Sequence, residues 1–481
     1  MIAALFALQQ AFEDLVVRGL RSSGPDDVRR LQAIGEDFGR AGAGYIADLV
    51  GKLVHLVREA DSEAPRALLR AQTAMRVFER VLSLDAAVEA LAGEHGGDAA
   101  ATEPAREPPP LPDKKALVPV LEELAGLVEG LVGSGLTTAS AATKQKLDAS
   151  FKEASRLKLL RLATSLRYVG DELARFLAES EHFSARRLAF FLNRTWLISR
   201  GLLEAIAEDD RPALARLLLA SAPQPVKSLK LAMIGVQKRA LLDGSAAFEF
   251  RFRTLADDSG IPRGTRLVWS CVFGAKKGVP AEAFLHLPQA QKFTPKILLD
   301  AKQLVVTDAA VALDDAGGRL MLGPKSTVTQ GAPVAITPEL VHWDPKRAVE
   351  RIRRHRISPL DLEVELQEEI VVEGWELGAP GDNPFRPEQR VFPVRAGGLE
   401  LDAVVSSGPD GETLGAALNA FRREAKQGPP RPPLFGLVHY EMGRLVFQPL
   451  TALAPTGPVH LMISNDKIDL ASLMKTMDFT S

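Results

Sequence analysis

Cysteine is all but missing from this chain. Cys271 stands alone among 481 residues, which excludes an intramolecular disulfide and any zinc site built on several cysteines. The eight histidines are scattered, and no HExxH motif gathers them on one helix face. No GxSxG turn of the serine-hydrolase kind occurs. No run of about 18 residues is apolar and charge-free enough to span a bilayer. The start, Met1-Ile-Ala-Ala-Leu-Phe, is apolar but lacks the basic leader of a signal peptide. A net charge of −2 gives no general excess of one sign with which to hold a polyanion. These absences point to a cytoplasmic protein that needs no cofactor, metal or membrane. They weigh against an enzyme without excluding one, because catalytic residues gather in space and not along the chain.

What is present is strong patterning of two kinds. Up to about residue 221 the apolar residues recur at helical spacing, through Leu5–Leu20, Asp27–Ala60, Pro65–Leu91 and Ala116–Val132. Gly35, Gly39, Gly42 and Gly44 fall inside the second of these and mark a close helix approach or a break. From Leu157 to Ile206 two further helices follow. The first carries Leu159, Leu162, Leu166, Val169, Leu173 and Phe176 on one face. The second, after a Ser184 N-cap, is apolar around most of its circumference, with polar residues held to a strip of Arg186, Arg187, Asn193, Arg194 and Arg200. Such a helix should be the centre of its bundle.

After Ala222 the period changes from helical to alternating. Phe248, Phe250 and Phe252 face one way and Glu249, Arg251 and Arg253 the other. Further strands are expected at Val226–Leu242, Leu267–Phe273, Leu304–Leu313, Arg319–Leu322, Leu360–Leu377, Gln389–Arg395, Leu399–Ser406, Leu434–Tyr440 and Arg444–Leu453. Helices at Asp344–His355 and Glu412–Lys426 interrupt them. The fold class is therefore multidomain α+β. A bundle-like helical N-terminal half precedes a β-rich half, either a barrel or a two-layer α+β domain, with two inserted helices. The expected domains are 1–93 (helical), 94–115 (a Pro/Ala/Gly-rich linker), 116–221 (helical, around the central helix) and 222–481 (β-rich). No period of 20–50 residues repeats, which excludes a solenoid.

Motifs that carry chemistry are weak. Gly318-Arg-Leu-Met-Leu-Gly-Pro-Lys-Ser-Thr327 resembles a phosphate loop, but Pro324 removes a backbone N–H where the loop must cradle phosphate. His342-Trp-Asp344 is too small a group for a metal, and Cys271 in an apolar strand reads as an inert thiol. The most pointed cluster is Asp344–Arg356, with six Lys or Arg in thirteen residues and Arg347, Arg351 and Arg354 on one helical face. Asp361, Glu363, Glu365, Glu368, Glu369 and Glu373 follow at once and are its natural internal partners. Arg347, Arg351, Arg354, Arg186, Arg187, Arg194 and Arg200 form the candidate binding surface. The reading that fits best is a non-catalytic interaction or scaffold subunit that binds protein partners. A nucleic-acid-binding protein using the basic helix and an enzyme with a dispersed site are the alternatives.

Overall fold

The computed structural model describes residues 1–89, 114–218, 223–241, 245–274, 279–287, 293–314, 317–336, 340, 351, 358–362, 366–386, 388–424 and 431–464. The chain divides into two compact units. One comprises Met1–Asp85, Gly96–Ala220 and Arg356–Leu362, and the other Ala86–His95, Ser221–His355 and Glu363–Ser481. Helices fill the N-terminal half and strands dominate the C-terminal half, as the change of period predicts. Among the described residues, no helix is long and apolar enough to cross a membrane.

The helical unit contains α1 (Ile2–Arg18), α2 (Pro25–Arg40), α3 (Gly44–Arg58), α4 (Ala64–Glu89), α5 (Lys114–Ser134), α6 (Ala141–Arg156), α7 (Leu160–Leu177), α8 (Ala185–Ala207) and α9 (Arg211–Leu218). The glycine cluster does break one long pattern into two helices, α2 and α3, at Ala41-Gly42-Ala43. All nine pack around one continuous apolar core, to which both sides of the 94–115 segment contribute. Thirteen residues of α8 are buried, Ser184 caps it by accepting from the Arg187 N–H at 3.2 Å, and the helix is central as its composition requires.

This unit is a duplication. Each of α1 and α5 ends at a glycine with positive φ, Gly19 at 87° and Gly135 at 76°. Each glycine is followed by a three-residue 3-10 turn, Leu20–Ser22 or Leu136–Thr138. Two more helices then follow, and the same interval of chain separates Gly19 from Gly135, Leu20 from Leu136, Pro25 from Ala141 and Gly44 from Leu160. At that interval the buried positions match: Leu5 with Leu121, Leu8 with Leu124, Leu15 with Leu131, Val16 with Val132, Leu31 with Leu147 and Val50 with Leu166. The halves meet at the two glycines. A Cβ on Gly19 would overlap the Ser134 carbonyl carbon, and one on Gly135 would overlap that of Arg18.

The β-rich unit begins with β1 (Gln224–Ala240), β2 (Ala246–Thr254), β3 (Arg266–Phe273), β4 (Lys302–Asp314) and β5 (Gly317–Pro333), closed into a barrel in the order β1-β2-β3-β5-β4. Phe248, Phe250, Phe252, Leu267 and Trp269 fill its interior. The β3–β4 connection contributes two 3-10 segments, Ala281–His286 and Pro295–Leu299, whose Leu285 and Leu298 join that core. The phosphate-loop lookalike lies inside β5, which runs well past its expected end at Leu322.

A second sheet contains β6 (Glu368–Val372), β7 (Glu376–Leu377), β8 (Gly381–Asp382), β9 (Gln389–Ala396), β10 (Leu399–Ser406), β11 (Leu434–Glu441), β12 (Arg444–Ala454) and β13 (Gly457–His460), with α10 (Pro409–Glu424) between β10 and β11. Its order is β6-β11-β12-β10-β9-β7, and the two end strands adjoin in sequence across Glu373-Gly374-Trp375. Taking β6 to β8 as one interrupted first strand gives the strand order of the first barrel. The third and fifth strands are parallel in both, β3 with β5 and β10 with β12. This is the Greek-key order of small five-stranded barrels.

Between the two sheets lies a separate apolar cluster containing Ala232, Ile234, Val371, Phe435, Leu437, Leu450 and Met462. β1 bulges beside Gly235, where a Cβ would sit 2.5 Å from the Phe435 ring. One expectation needs amendment and another falls largely outside the described residues. The strand expected at Leu360–Leu377 starts only at Glu368, and the described residues 358–362 form a turn assigned to the helical unit. The helix expected at Asp344–His355 falls outside the described residues apart from residue 351.

Gly19→Ala and Gly135→Ala should each cost at least about 2 kcal/mol, from positive φ and backbone overlap together. Gly126→Ala, in open space inside α5, should be neutral or stabilise by about 0.5–1 kcal/mol. Urea unfolding monitored by circular dichroism reads all three, and equal effects would dismiss the glycine contact as a constraint.

Candidate binding surfaces

The arginine strip of α8 is engaged inside the helical unit. Arg187 donates from Nε to the Glu172 carboxylate at 2.7 Å and from Nη2 to the His182 carbonyl at 2.7 Å. Glu172 is itself buried, and its other oxygen accepts the Ser184 N–H at 2.9 Å, at the entry to α8. Arg200 donates to Glu129 at 2.7 Å, and the same carboxylate takes Trp196 Nε1 at 2.8 Å and Arg66 at 2.9 Å. Burial would raise the Glu129 carboxyl, but these hydrogen bonds outweigh it and hold it below the usual range. Arg186 is exposed and exerts its field on Glu13, which occupies in α1 the place of Glu129 in α5. Arg194 is only 2% exposed; its Nε donates to the Leu360 carbonyl at 2.8 Å and its Nη1 to Ser165 Oγ at 3.1 Å.

Of the basic segment that precedes the second sheet, Arg347 and Arg354 lie outside the described residues. Arg351 donates to Glu368 at 3.0 Å, so one of the acidic residues after the segment does meet it. His342 and Asp344 also lie outside the described residues.

Alternation alone puts Arg251 and Arg253 on the polar face of a strand but gives no sign of their partner. On β2 they point outward, opposite the phenylalanines, and meet the second sheet. Glu369 receives Arg253 at 2.5 Å and Arg251 at 3.1 Å, and its neighbour Glu368 receives Arg266 at 2.7 Å. Glu249 lies 3.5 Å from Arg251 and 3.6 Å from Arg239. The outward face of the first barrel is thus an arginine array read by carboxylates of the first strand of the second sheet. Burial would raise the Glu369 carboxyl, but the Arg253, Arg251 and Arg266 guanidiniums outweigh it and hold it down at about 2. Burial also pulls the Arg253 guanidinium below its usual range.

A second polar cluster sits where the β8–β9 loop meets the β11–β12 turn. Arg386 donates to Glu441 at 2.9 Å; Arg444 donates to Asp402 at 3.0 Å and to Asn383 Oδ1 at 3.1 Å, 5.3 Å from the Phe385 ring centre. Elsewhere in the same unit, His460 bridges β13 to the first barrel. Its Nε2 lies 3.2 Å from the Leu299 carbonyl and its Nδ1 3.1 Å from Thr451 Oγ1. A neutral ring satisfies both, donating to the carbonyl and accepting from the hydroxyl, and burial pushes the imidazole down to about 4.

Among the described residues, no three His, Cys, Asp or Glu side chains converge to hold a metal ion. Cys271 is half-buried, and burial pushes its thiol up to about 12, far from the thiolate a nucleophile needs.

No protein-family model matches the chain, and no curated protein does. Solved structures that share slight similarity include "p202 HIN1 in complex with 12-mer dsDNA", at 6% identity and a TM-score of 0.25, covering 48% of this chain and 92% of that one. Another is "Crystal structure of Ifi202 HINa domain in complex with 20bp dsDNA", at 8% identity and a TM-score of 0.24, covering 47% and 94%. Likeness of this degree carries no weight for fold or function.

Glu369→Ala should destabilise the β-rich unit by about 3–5 kcal/mol, because it leaves buried guanidiniums unmatched. Stability should also fall with acid in two stages. A histidine with a depressed folded-state pKa contributes fully above about 6.5 and loses that contribution as pH falls towards 4. The Glu369 contribution is complete above about 4.5 and is lost towards pH 2. Thermal melts between pH 7 and 3 should show both stages, and His460→Gln should erase the first; an unchanged profile would refute that assignment.

Proposed function

We propose that this chain is a non-catalytic interaction subunit of the cytoplasm, whose barrel, second sheet and helical unit offer surfaces to protein partners. The observation that carries this reading is the orientation of β2. Its three phenylalanines turn inward and its two arginines turn outward onto glutamates, with Val268, Ser270 and Val272 beside them on β3. A base-binding face of this strand order uses outward aromatics as stacking platforms, and among the described residues this face has none. What it holds is a carboxylate-bearing strand, the chemistry of an acidic protein segment. The Arg386, Arg444, Asp402 and Glu441 cluster, with charges of both signs, suits a protein surface in the same way.

Nucleic acid is the second reading. Its support is the shared strand order of the two sheets, a fold-level analogy, together with the basic segment around Arg351. Mobility shift of single- and double-stranded DNA and of RNA at low salt separates the two. The full-length chain is expected to give no shift, and a tagged copy from its native host to carry a stoichiometric protein partner. A shift abolished by joint Arg347→Ala, Arg351→Ala and Arg354→Ala substitution would overturn the protein reading.

A further inference from the structure

The two halves of the helical unit share one arrangement of helices, so a difference between them is not required by the fold. They differ in the charge of their helical hairpins, α2–α3 and α6–α7. Pro25–Arg58 carries five Lys or Arg against five Asp or Glu, and the equivalent Ala141–Ala174 carries seven against four. The loss is of particular carboxylates. Asp14, Asp26, Asp27, Glu36 and Asp48 of the first half are replaced in the second by Gly130, Ala142, Thr143, Lys152 and Thr164. In the first half Asp14 holds Arg30 at 2.6 Å and Asp27 holds Arg18 at 2.6 Å. Lys146 takes the place of Arg30, but Gly130 has no carboxylate to offer it. Lys144 and Arg156 keep local partners in Asp148, at 2.8 Å, and Glu153, at 2.6 Å. Lys146, Lys152, Lys158 and Arg167 are exposed, and among the described residues no carboxylate lies within ion-pair distance of them.

These cations adjoin apolar surface. Helical spacing puts Leu160, Thr164, Arg167, Asp171 and Arg175 on one outward stripe of α7, with Asp171 its single acid. Leu160 is 55% exposed, and Tyr168, stacked on Phe191 at 4.4 Å, borders the stripe. Lys152 stands one turn from Asp148, which lies beside Gly170 of α7, so Lys152 sits on the seam between the two helices. At the far end of the stripe Arg175 reaches an open cavity of about 470 Å³, lined by Leu136, Phe176, Leu177 and Phe183. The loop that supplies Phe183, Ala178–Ser184, is longer than its counterpart Glu59–Glu63, a second feature in which the halves differ. Like charges crowded on one hairpin repel, and carboxylates brought from outside relieve that repulsion. A nucleic-acid backbone would answer the cations and leave the cavity empty; a protein segment answers both.

We propose that the outward face of the α6–α7 hairpin docks an acidic segment of a partner protein. Its carboxylates meet Lys152, Lys158 and Arg167, and a large apolar side chain enters the cavity beyond Arg175. Arg167 and Arg175 are two turns apart, so the anchor stands about 12 Å along the segment from the nearest carboxylate. The proposal rests on the protein-partner reading for the class of partner, and adds where on the helical unit that partner sits and what chemistry it brings.

The test uses full-length protein and fluorescence polarisation of a labelled, helical, glutamate-rich peptide with two phenylalanines at one end. The same peptide with alanines for the phenylalanines, and an oligo-dT strand, serve as the other probes. Joint Gly130→Asp, Lys152→Glu and Lys158→Gly substitution gives this half the residues of the other. Gly130 faces open space, and Lys158, at a φ of 58°, holds a backbone that suits glycine, as Gly42 does at 81°. The triple variant should weaken peptide binding at least about 10-fold, and the milder Lys152→Gln, Arg167→Gln pair should weaken it in the same direction. Thr137→Trp, at the cavity wall, should erase the preference for phenylalanine over alanine. Peptide binding that is absent, indifferent to the triple variant or equal for both peptides would overturn the proposal. So would oligo-dT binding tighter than the peptide's and lost in the triple variant, which would make the face a nucleic-acid one. A triple variant that still carries its stoichiometric partner from the native host would retire the hairpin and leave the protein-partner reading standing.

Discussion

Where α1 and α5 end, two backbones touch with no side chain between them. Gly19 and Gly135 both adopt positive φ, and each occupies the space a Cβ of the other would need. That single contact sets the geometry of the helical unit. It brings the C-termini of two equivalent helices together and aims each 3-10 turn at the opposite half. It also leaves α4 to reach across the join to α5, where Arg66 pairs with Glu129. A side chain at either glycine would separate the halves that share the core.

The β-rich unit solves the same problem of joining two like halves by other means. Its barrel and second sheet meet over a small apolar cluster, with Phe435 laid on Gly235, and over arginines that each find a carboxylate. Apolar contact supplies the attraction, while the buried charges fix which strand faces which, because a shifted register would strand a guanidinium in the interior. The charges on this face therefore serve specificity before affinity.

Much of this was legible in the sequence and some was not. The change of period near Ala222, the burial of α8, its Ser184 cap and most strand boundaries follow from local pattern, because period and capping are local properties. The duplications were invisible to a search for short periods: the helical one recurs only at an interval of a whole domain half, and through buried leucines that many helices carry. The fate of the arginines was hidden for a related reason. On a helical wheel Arg194 belongs to a polar strip, yet its carbonyl partner, Leu360, lies 166 residues away. Arg251 and Arg253 likewise alternate as solvent-facing residues should, and only the neighbouring sheet encloses them. Charge that is paired across the fold looks solvent-exposed in one dimension.

The late arrival of Leu360 has a consequence for biosynthesis. When the ribosome has released all nine N-terminal helices, Arg194 still lacks the carbonyl it is built to hold, and the first barrel must be made before that carbonyl exists. At ordinary synthesis rates the wait is roughly ten to thirty seconds. The nascent bundle spends that time with the place of Leu360 in its core still unfilled.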